Sequence, residues 1–264
     1  MDLHLDGRTA LVSGSTGGIG FAVAGGLAQM GATVIVNGRS AERVAAAIER
    51  LRSEHGGARF EAAAFDLSSA RGVDALVAAF PSVDVLVNNL GIFEPKPFEE
   101  IADADWLRFF ETNVMSGVRL SRAYLAAMRA QNWGRIVFVS SESALNVPVE
   151  MVHYGMTKTA QLAIARGIAE SVAGTGITVN SVLPGPTLSE GVGAFVTRMA
   201  EARRTEPAIV ESEFFRTARP TSLIKRFATV EEAANMILYV CSPAASATTG
   251  ASLRVDGGVV KTIA

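Results

Sequence analysis

Residues 10–20 read ALVSGSTGGIG, an apolar run that stops at Ser13 and gives way to glycines, with a helix-forming stretch behind them. An apolar strand, a glycine-rich turn and a helix in that order present bare backbone N–H groups and a helix N-terminus to one point in space. That point favours a phosphate. The backbone of Gly14, Ser15, Thr16, Gly18, Ile19 and Gly20 would form the cradle. The spacing is Gly-x-x-x-Gly-x-Gly, and no Gly-Lys-Ser/Thr closes it, so a nucleotide-hydrolysing phosphate loop is not indicated. Alone, the stretch also suits a strand–helix turn that binds nothing.

The rest of the chain repeats the unit. Strands are expected at 8–13, 33–38, 59–67, 83–89, 135–141, 177–185 and 251–258. Helices are expected at 18–30, 40–55, 69–80, 104–131, 152–174 and 230–242. VDVLVNN at 83–89 is apolar without alternation, as in a parallel strand covered on both faces. Strand–helix repeats with right-handed crossovers imply an α/β fold: a doubly wound parallel sheet, a Rossmann fold in three α/β/α layers. Only 186–228 breaks the rhythm, with polar residues, prolines and short helical pieces. We read 1–264 as one dinucleotide-binding domain carrying a lid-like insertion there.

Composition narrows the partners. The 264 residues are 49% hydrophobic and 19% charged, and the net charge of −2 draws the chain toward neither nucleic acid nor membrane. No apolar run reaches membrane-spanning length. One cysteine, Cys241, and no signal-like N-terminus suggest a reducing, cytoplasmic setting. His4, His55 and His153 are scattered, and no metal site is expected.

In a doubly wound sheet, ligands lie at the carboxyl ends of the strands. The second strand ends VNGRS, without the acidic residue that holds a ribose 2′-hydroxyl. Arg39 stands there instead, and a guanidinium grips a phosphate bidentately. This favours NADP(H), with NAD(H) possible. Asp66, with Leu67 beside it, ends the third strand and either meets an adenine amino group or caps the next helix. Asn89 and Gly91 follow the fourth strand, Ser140 and Ser141 end the fifth, and Pro184 and Gly185 end the sixth. Tyr154 and Lys158, four apart at a helix start, share a face and point into one site.

With these elements in order, the sequence resembles the short-chain dehydrogenase/reductase family over residues 5 to 260. The match rests on Gly14-x-x-x-Gly18-Ile19-Gly20, Asn88-Asn89-x-Gly91, Asn113, Ser141, Tyr154-x-x-x-Lys158, Pro184-Gly185 and Asp256-Gly257-Gly258. Ser13, Leu90 and Thr157 depart from the usual Thr, Ala and Ser. The resemblance implies hydride transfer between a nicotinamide and a small carbonyl or alcohol. Tyr154 would be the general acid/base, its pKa lowered by Lys158, and Ser141 would orient the carbonyl. It further implies that Lys158 holds the nicotinamide ribose and that Asn113 positions a relay water. Thr187 and Ser189 would meet the carboxamide, with Pro186 an unusual residue between them.

Alternation along the strand sends Ser140 to the other face and turns Glu142 toward solvent or an interface. The pocket is expected between Ile92, Phe93, Glu94, Ser143, Leu145, residues 148–151 and the insertion, where Phe214 and Phe215 either close on substrate or pack. His153 is read as packing or rim. The family also implies a homotetramer. Two alternatives stand. One is a 3-oxoacyl-[acyl-carrier-protein] reductase, against which Thr175 and Gln131-Asn132-Trp133 replace the basic docking residues. The other is a non-catalytic NADP(H) sensor, against which Tyr154 and Lys158 are both present.

Overall fold

The structure is a computed structural model that describes residues 1–263. Seven parallel strands form its sheet: β1 Thr9–Val12, β2 Thr33–Gly38, β3 Arg59–Ala64, β4 Val85–Asn88, β5 Gly134–Val139, β6 Ile177–Pro184 and β7 Ser252–Val255. Their order is β3-β2-β1-β4-β5-β6-β7, with Leu11 opposite both Ile35 and Leu86. The chain winds outward from β1 to one edge, then returns and winds from β4 to the other. The direction of winding therefore reverses between β1 and β4, which opens a crevice at their carboxyl ends.

Strand alternation divides the core in two. Ala10, Val12, Val34, Val36, Val85 and Val87 face a layer made of α1 Gly18–Gln29, α2 Ala41–Glu54 and α9 Val230–Cys241. Leu11, Ile35, Leu86, Ile136 and Phe138 face the other layer, which holds α3 Ala70–Ala79, α5 Ser116–Ala130 and α6 Val152–Ser171. The expected three-layer, doubly wound α/β fold is the one observed. Cys241 is fully buried, and burial pushes its thiol up to about 12, so it is inert packing.

Three segments differ from expectation, each for a local reason. The third strand ends at Ala64 rather than 67. Beyond it the Asn37 side chain donates to the carbonyls of Ala63 and Phe65, while Asp66 accepts from the amide and hydroxyl of Ser68 and turns the chain. The long helix expected at 104–131 is α4 Asp103–Phe110, a π turn at Glu111–Met115 and then α5. The wide turn re-aims one side chain, Asn113. The insertion holds two substantial helices, α7 Glu190–Arg203 and α8 Pro207–Thr217, rather than short pieces. Val196, Ala200, Val210, Phe215 and Phe227 give it a small core of its own.

Among the described residues, no helix is long and apolar enough to cross a membrane, and no cluster of His, Cys, Asp or Glu suits a metal ion.

Candidate active site

The crevice is a cavity of 720 Å³ that begins at the glycine loop, lined by Gly17, Gly18, Ile19 and Gly20. Gly14 and Gly18 have φ of 63° and 58°, the left-handed region that favours glycine. Gly20 answers a different demand. A Cβ there would stand 2.5 Å from Asn89 Nδ2 and 2.6 Å from the Gly14 carbonyl. Asn89 uses that nitrogen to hold the carbonyls of Ser13 and Gly14 at 3.0 and 2.9 Å, so it shapes the loop while lining the cavity. Ser15 is fully buried, and its hydroxyl bonds Val12 O and Asn37 N. No side chain caps α1, and its first turn carries no acidic residue. Uncapped helix N–H groups beside glycines fit a dinucleotide pyrophosphate.

Deeper in the same cavity lie Ser141, Tyr154, Lys158 and Gly91. Tyr154 and Lys158 project from one face of α6, with Lys158 Nζ 5.6 Å from the Tyr154 ring centroid. Lys158 is buried and donates to the Val139 carbonyl at 2.9 Å. Burial alone draws its pKa down to about 8. Burial pushes Tyr154 up to about 12; the Ser141 hydroxyl lowers it, Glu142 adds to the rise and Arg219 lowers it. From the chain alone, without a nicotinamide charge, burial is the dominant influence on the tyrosine. Desolvation wins, although Tyr154 is half-buried at the cavity wall and only Lys158 is buried.

Asn113 is buried in the π turn, where its side chain joins Ile92 N and O at 2.8 and 3.0 Å and Thr157 Oγ1 at 3.0 Å. Its own carbonyl accepts from Gln161 Nε2 at 2.6 Å, and Gln161 Oε1 in turn receives Lys158 Nζ at 3.4 Å. Sequence reading missed Gln161. The available signal was its spacing of three from Lys158 on one helix face.

Ser140 donates to the Lys158 carbonyl, on the α6 side, as alternation requires. Glu142 does the reverse of what alternation predicts. It is buried against Ser141, because the chain has left β5 and residues Glu142–Ala144 form a tight turn. Ser141 Oγ donates to Glu142 Oε2 at 2.6 Å, and Arg219 Nε reaches Glu142 Oε1 at 2.9 Å from the segment after α8. Arg219 also approaches Glu150 at 3.5 Å. Neither the position of Glu142 nor this ion pair was anticipated from sequence.

Pro184, Gly185, Thr187 and Ser189 line the cavity beside α7. Thr187 Oγ1 bonds the Gly185 carbonyl, and Ser189 caps α7. Ile92, Phe93, Ser143, Glu150 and Met151 form walls as expected, whereas Leu145 is exposed outside the lining and Glu94 pairs with Arg108 at 2.6 Å. Phe214 lines the cavity; Phe215 is buried in the insertion's core. His153 is fully buried beside Phe109 and Trp106, neither of its ring nitrogens has a partner, and burial lowers its pKa. It is packing.

A second cavity, of 480 Å³, continues from Gly14 and Thr16 to Arg39 and includes Leu67. Asp66 does not line it and does not cap α3 either: its carboxylate accepts from the amide and hydroxyl of Ser68, and Ser69 is the residue that caps the helix. Arg43, in the first turn of α2, lines the same cavity as Arg39 and has no counterpart among the sequence expectations.

The family model for short chain dehydrogenases matches residues 8–199. The chain is 48% identical, over all of both chains, to the uncharacterized oxidoreductase YvaG of Bacillus subtilis (strain 168). The L-sorbose reductase of Gluconobacter frateurii, solved with NADPH and L-sorbose, superposes with a TM-score of 0.93 at 31% identity over all of both chains. A 7α-hydroxysteroid dehydrogenase solved with NADH and 7-oxo glycochenodeoxycholic acid gives a TM-score of 0.84 at 29% identity, over 100% of this chain and 98% of that one.

Proposed function

This chain belongs to the short-chain dehydrogenase family and is a nicotinamide-dependent oxidoreductase acting on C–OH/C=O groups; within that frame we propose an NADP(H)-preferring reductase of a free, small carbonyl compound, with Tyr154 as general acid/base. The observation that carries the reading is convergence. Ser141, Tyr154 and Lys158 line one cavity with the uncapped helix end at Gly18.

Gly14, Ser15, Thr16, Gly18, Ile19 and Gly20 would hold the pyrophosphate, Asn89 and Gly91 the adjoining ribose region, and Pro184, Gly185, Thr187 and Ser189 the nicotinamide end. A nicotinamide held by these residues would supply or accept the hydride. Tyr154 delivers its phenolic proton to the carbonyl oxygen as negative charge builds there. In the opposite direction it takes that proton back. With the tyrosine raised to about 12 by burial, a positive charge nearby is needed to bring phenolate within reach of neutral pH. Lys158, 5.6 Å from the ring, supplies one when it is protonated. Ser141 orients the substrate oxygen. Asn113 braces the loop at Ile92 and, through Gln161, the Lys158 ammonium. We assign it the positioning of a water that links Lys158 to solvent as a proton relay.

The NADP(H) preference rests on Arg39 and Arg43, since no acidic side chain among the described residues lines their cavity. Exposed Leu107 and Phe110 on α4 support a homotetramer, and the single buried Cys241 supports a cytoplasmic setting. Carrier-protein docking is not favoured, because Thr175 and Gln131 stand where basic residues would be needed.

The test is oxidation of NADPH and of NADH across a panel of ketones and aldehydes. Turnover that prefers NADPH and is abolished in Tyr154→Phe is expected. Tight NADPH binding with no turnover of any carbonyl would replace the reading with a nucleotide sensor.

A further inference from the structure

Ser141 has one hydroxyl proton, and it is already committed. It goes to Glu142 Oε2 at 2.6 Å, while the Ser143 amide donates to Ser141 Oγ at 3.1 Å. Glu142 Oε2 also accepts from Ser143 Oγ at 2.8 Å, and Oε1 accepts from Arg219 Nε at 2.9 Å. The side chains of Glu142 and Arg219 are 4% and 9% exposed, so this is an interior ion pair. A carboxylate buried in this way relies on every one of those donors.

A plain ketone brings only acceptors to the site. If Ser141 turns its proton to the ketone oxygen, Glu142 is left short of a donor. If Ser141 stays on Glu142, the oxygen has Tyr154 as its single donor. A hydroxyl on the neighbouring carbon removes the conflict. It donates to Glu142 in place of Ser141 and frees the Ser141 proton for the reacting oxygen. The two oxygens of such a fragment are neighbours, and so are their intended partners, Ser141 Oγ and Glu142 Oε2, which stand 2.6 Å apart while the Ser141 proton lies between them and separate once it turns to the substrate. Only hydrogen bonds change partners; the hydroxyl keeps its proton. Glu142, Ser141 and Tyr154 line the same cavity, and Ile92, Phe93 and Phe214 offer apolar wall to the rest of the molecule.

We propose that Glu142, fixed by Arg219 of the lid, is a specificity-determining residue that selects substrates bearing a hydroxyl on the carbon next to the reacting carbon. This rests on the carbonyl-reductase reading above. A site built around a substrate hydroxyl discriminates strongly against an analogue that lacks the proton.

The probes are 2-hydroxyacetophenone and 2-fluoroacetophenone, which share an aryl body and an electron-withdrawing neighbour but differ in the donor. In the wild-type enzyme with NADPH, kcat/KM for the hydroxy ketone is expected to exceed that for the fluoro ketone at least about tenfold. The double variant Glu142→Gln/Arg219→Gln, which removes both charges together, should bring the ratio to about twofold or less. A wild-type ratio near one, or a ratio that persists in the variant, overturns the inference. The wild-type ratio decides even if the variant does not fold. If neither ketone is reduced although NADPH binds, the catalytic reading has failed. The specificity claim is then decided by calorimetric affinities of 1-phenylethane-1,2-diol and 2-fluoro-1-phenylethanol for the NADP-loaded protein. A similar preference for the diol upholds it, and equal binding or none overturns it.

Discussion

The ammonium of Lys158 donates to the carbonyl of Val139 at 2.9 Å, so a charged side chain is tied to the end of the interior strand β5. Burial lowers its pKa from 10.5 to about 8. Between those values the unfolded chain holds a proton that the folded chain has released. Folding stability attributable to this group therefore rises with pH across the window from about 8 to 10.5, and the cost of burying the charge is complete below it. Replacing Lys158 by Met should abolish turnover. It should also make the ligand-free protein relatively more stable below pH 8, by about 1–3 kcal/mol after the lost hydrogen bonds are counted. That advantage should shrink as pH climbs toward 10.5. Urea midpoints of both proteins across this range check it; a difference that does not change with pH would contradict the buried-charge account.

Gly20→Ala tests the loop. Its Cβ would meet Asn89 Nδ2 at 2.5 Å and the Gly14 carbonyl at 2.6 Å, and neither can move without breaking the bonds from Asn89 to Ser13 and Gly14. Overpacking of this kind costs about 1–3 kcal/mol. The melting temperature should fall, and NADPH affinity, read by fluorescence quenching, should weaken at least about tenfold. An unchanged affinity would mean that the cradle tolerates displacement.

The features read from sequence succeeded where one chemical demand fixes one residue type. The apolar strands and the glycines at 14, 18 and 20 placed the fold, and Gly18, Gly20, Tyr154 and Lys158 share one cavity while Gly14 lines the adjoining one. Reading failed where position depends on the path of the backbone. Glu142 follows a strand, but the turn that begins at Ser141 undoes alternation. The partner of Glu142, Arg219, lies 77 residues away in a segment whose strand–helix rhythm is lost, so no local pattern could join them. The π turn at Asn113 likewise depends on what α6 offers to that segment, namely Thr157 and Gln161, and not on the turn's own sequence.

Gln161 is the test of that brace. Gln161→Leu keeps the volume but leaves the Asn113 carbonyl and one Lys158 hydrogen bond without a partner. An unsatisfied buried carbonyl costs about 1–3 kcal/mol. The melting temperature should fall accordingly, and kcat should drop at least about fivefold with KM for NADPH little changed, because Gln161 touches the lysine rather than the nucleotide cradle. Equal losses in kcat and in NADPH affinity would instead mean a general disturbance of α6.

The last prediction concerns cofactor choice. Arg39 and Arg43 line the cavity beyond Gly14 and Thr16, and both side chains reach solvent. A phosphate there would be gripped at the surface, so the contribution should be moderate and screened by salt. Arg39→Asp both removes the grip and restores the acidic residue that suits a ribose 2′-hydroxyl. Its kcat/KM for NADPH should fall at least about tenfold while that for NADH holds or rises. Arg43→Ala should cost about threefold for NADPH alone, since Arg39 remains. Raising ionic strength should erode the wild-type NADPH advantage but leave NADH kinetics nearly constant. Steady-state kinetics with both cofactors at low and high salt measure all three effects. If Arg39→Asp leaves the NADPH/NADH ratio where it was, the preference does not reside in this cavity.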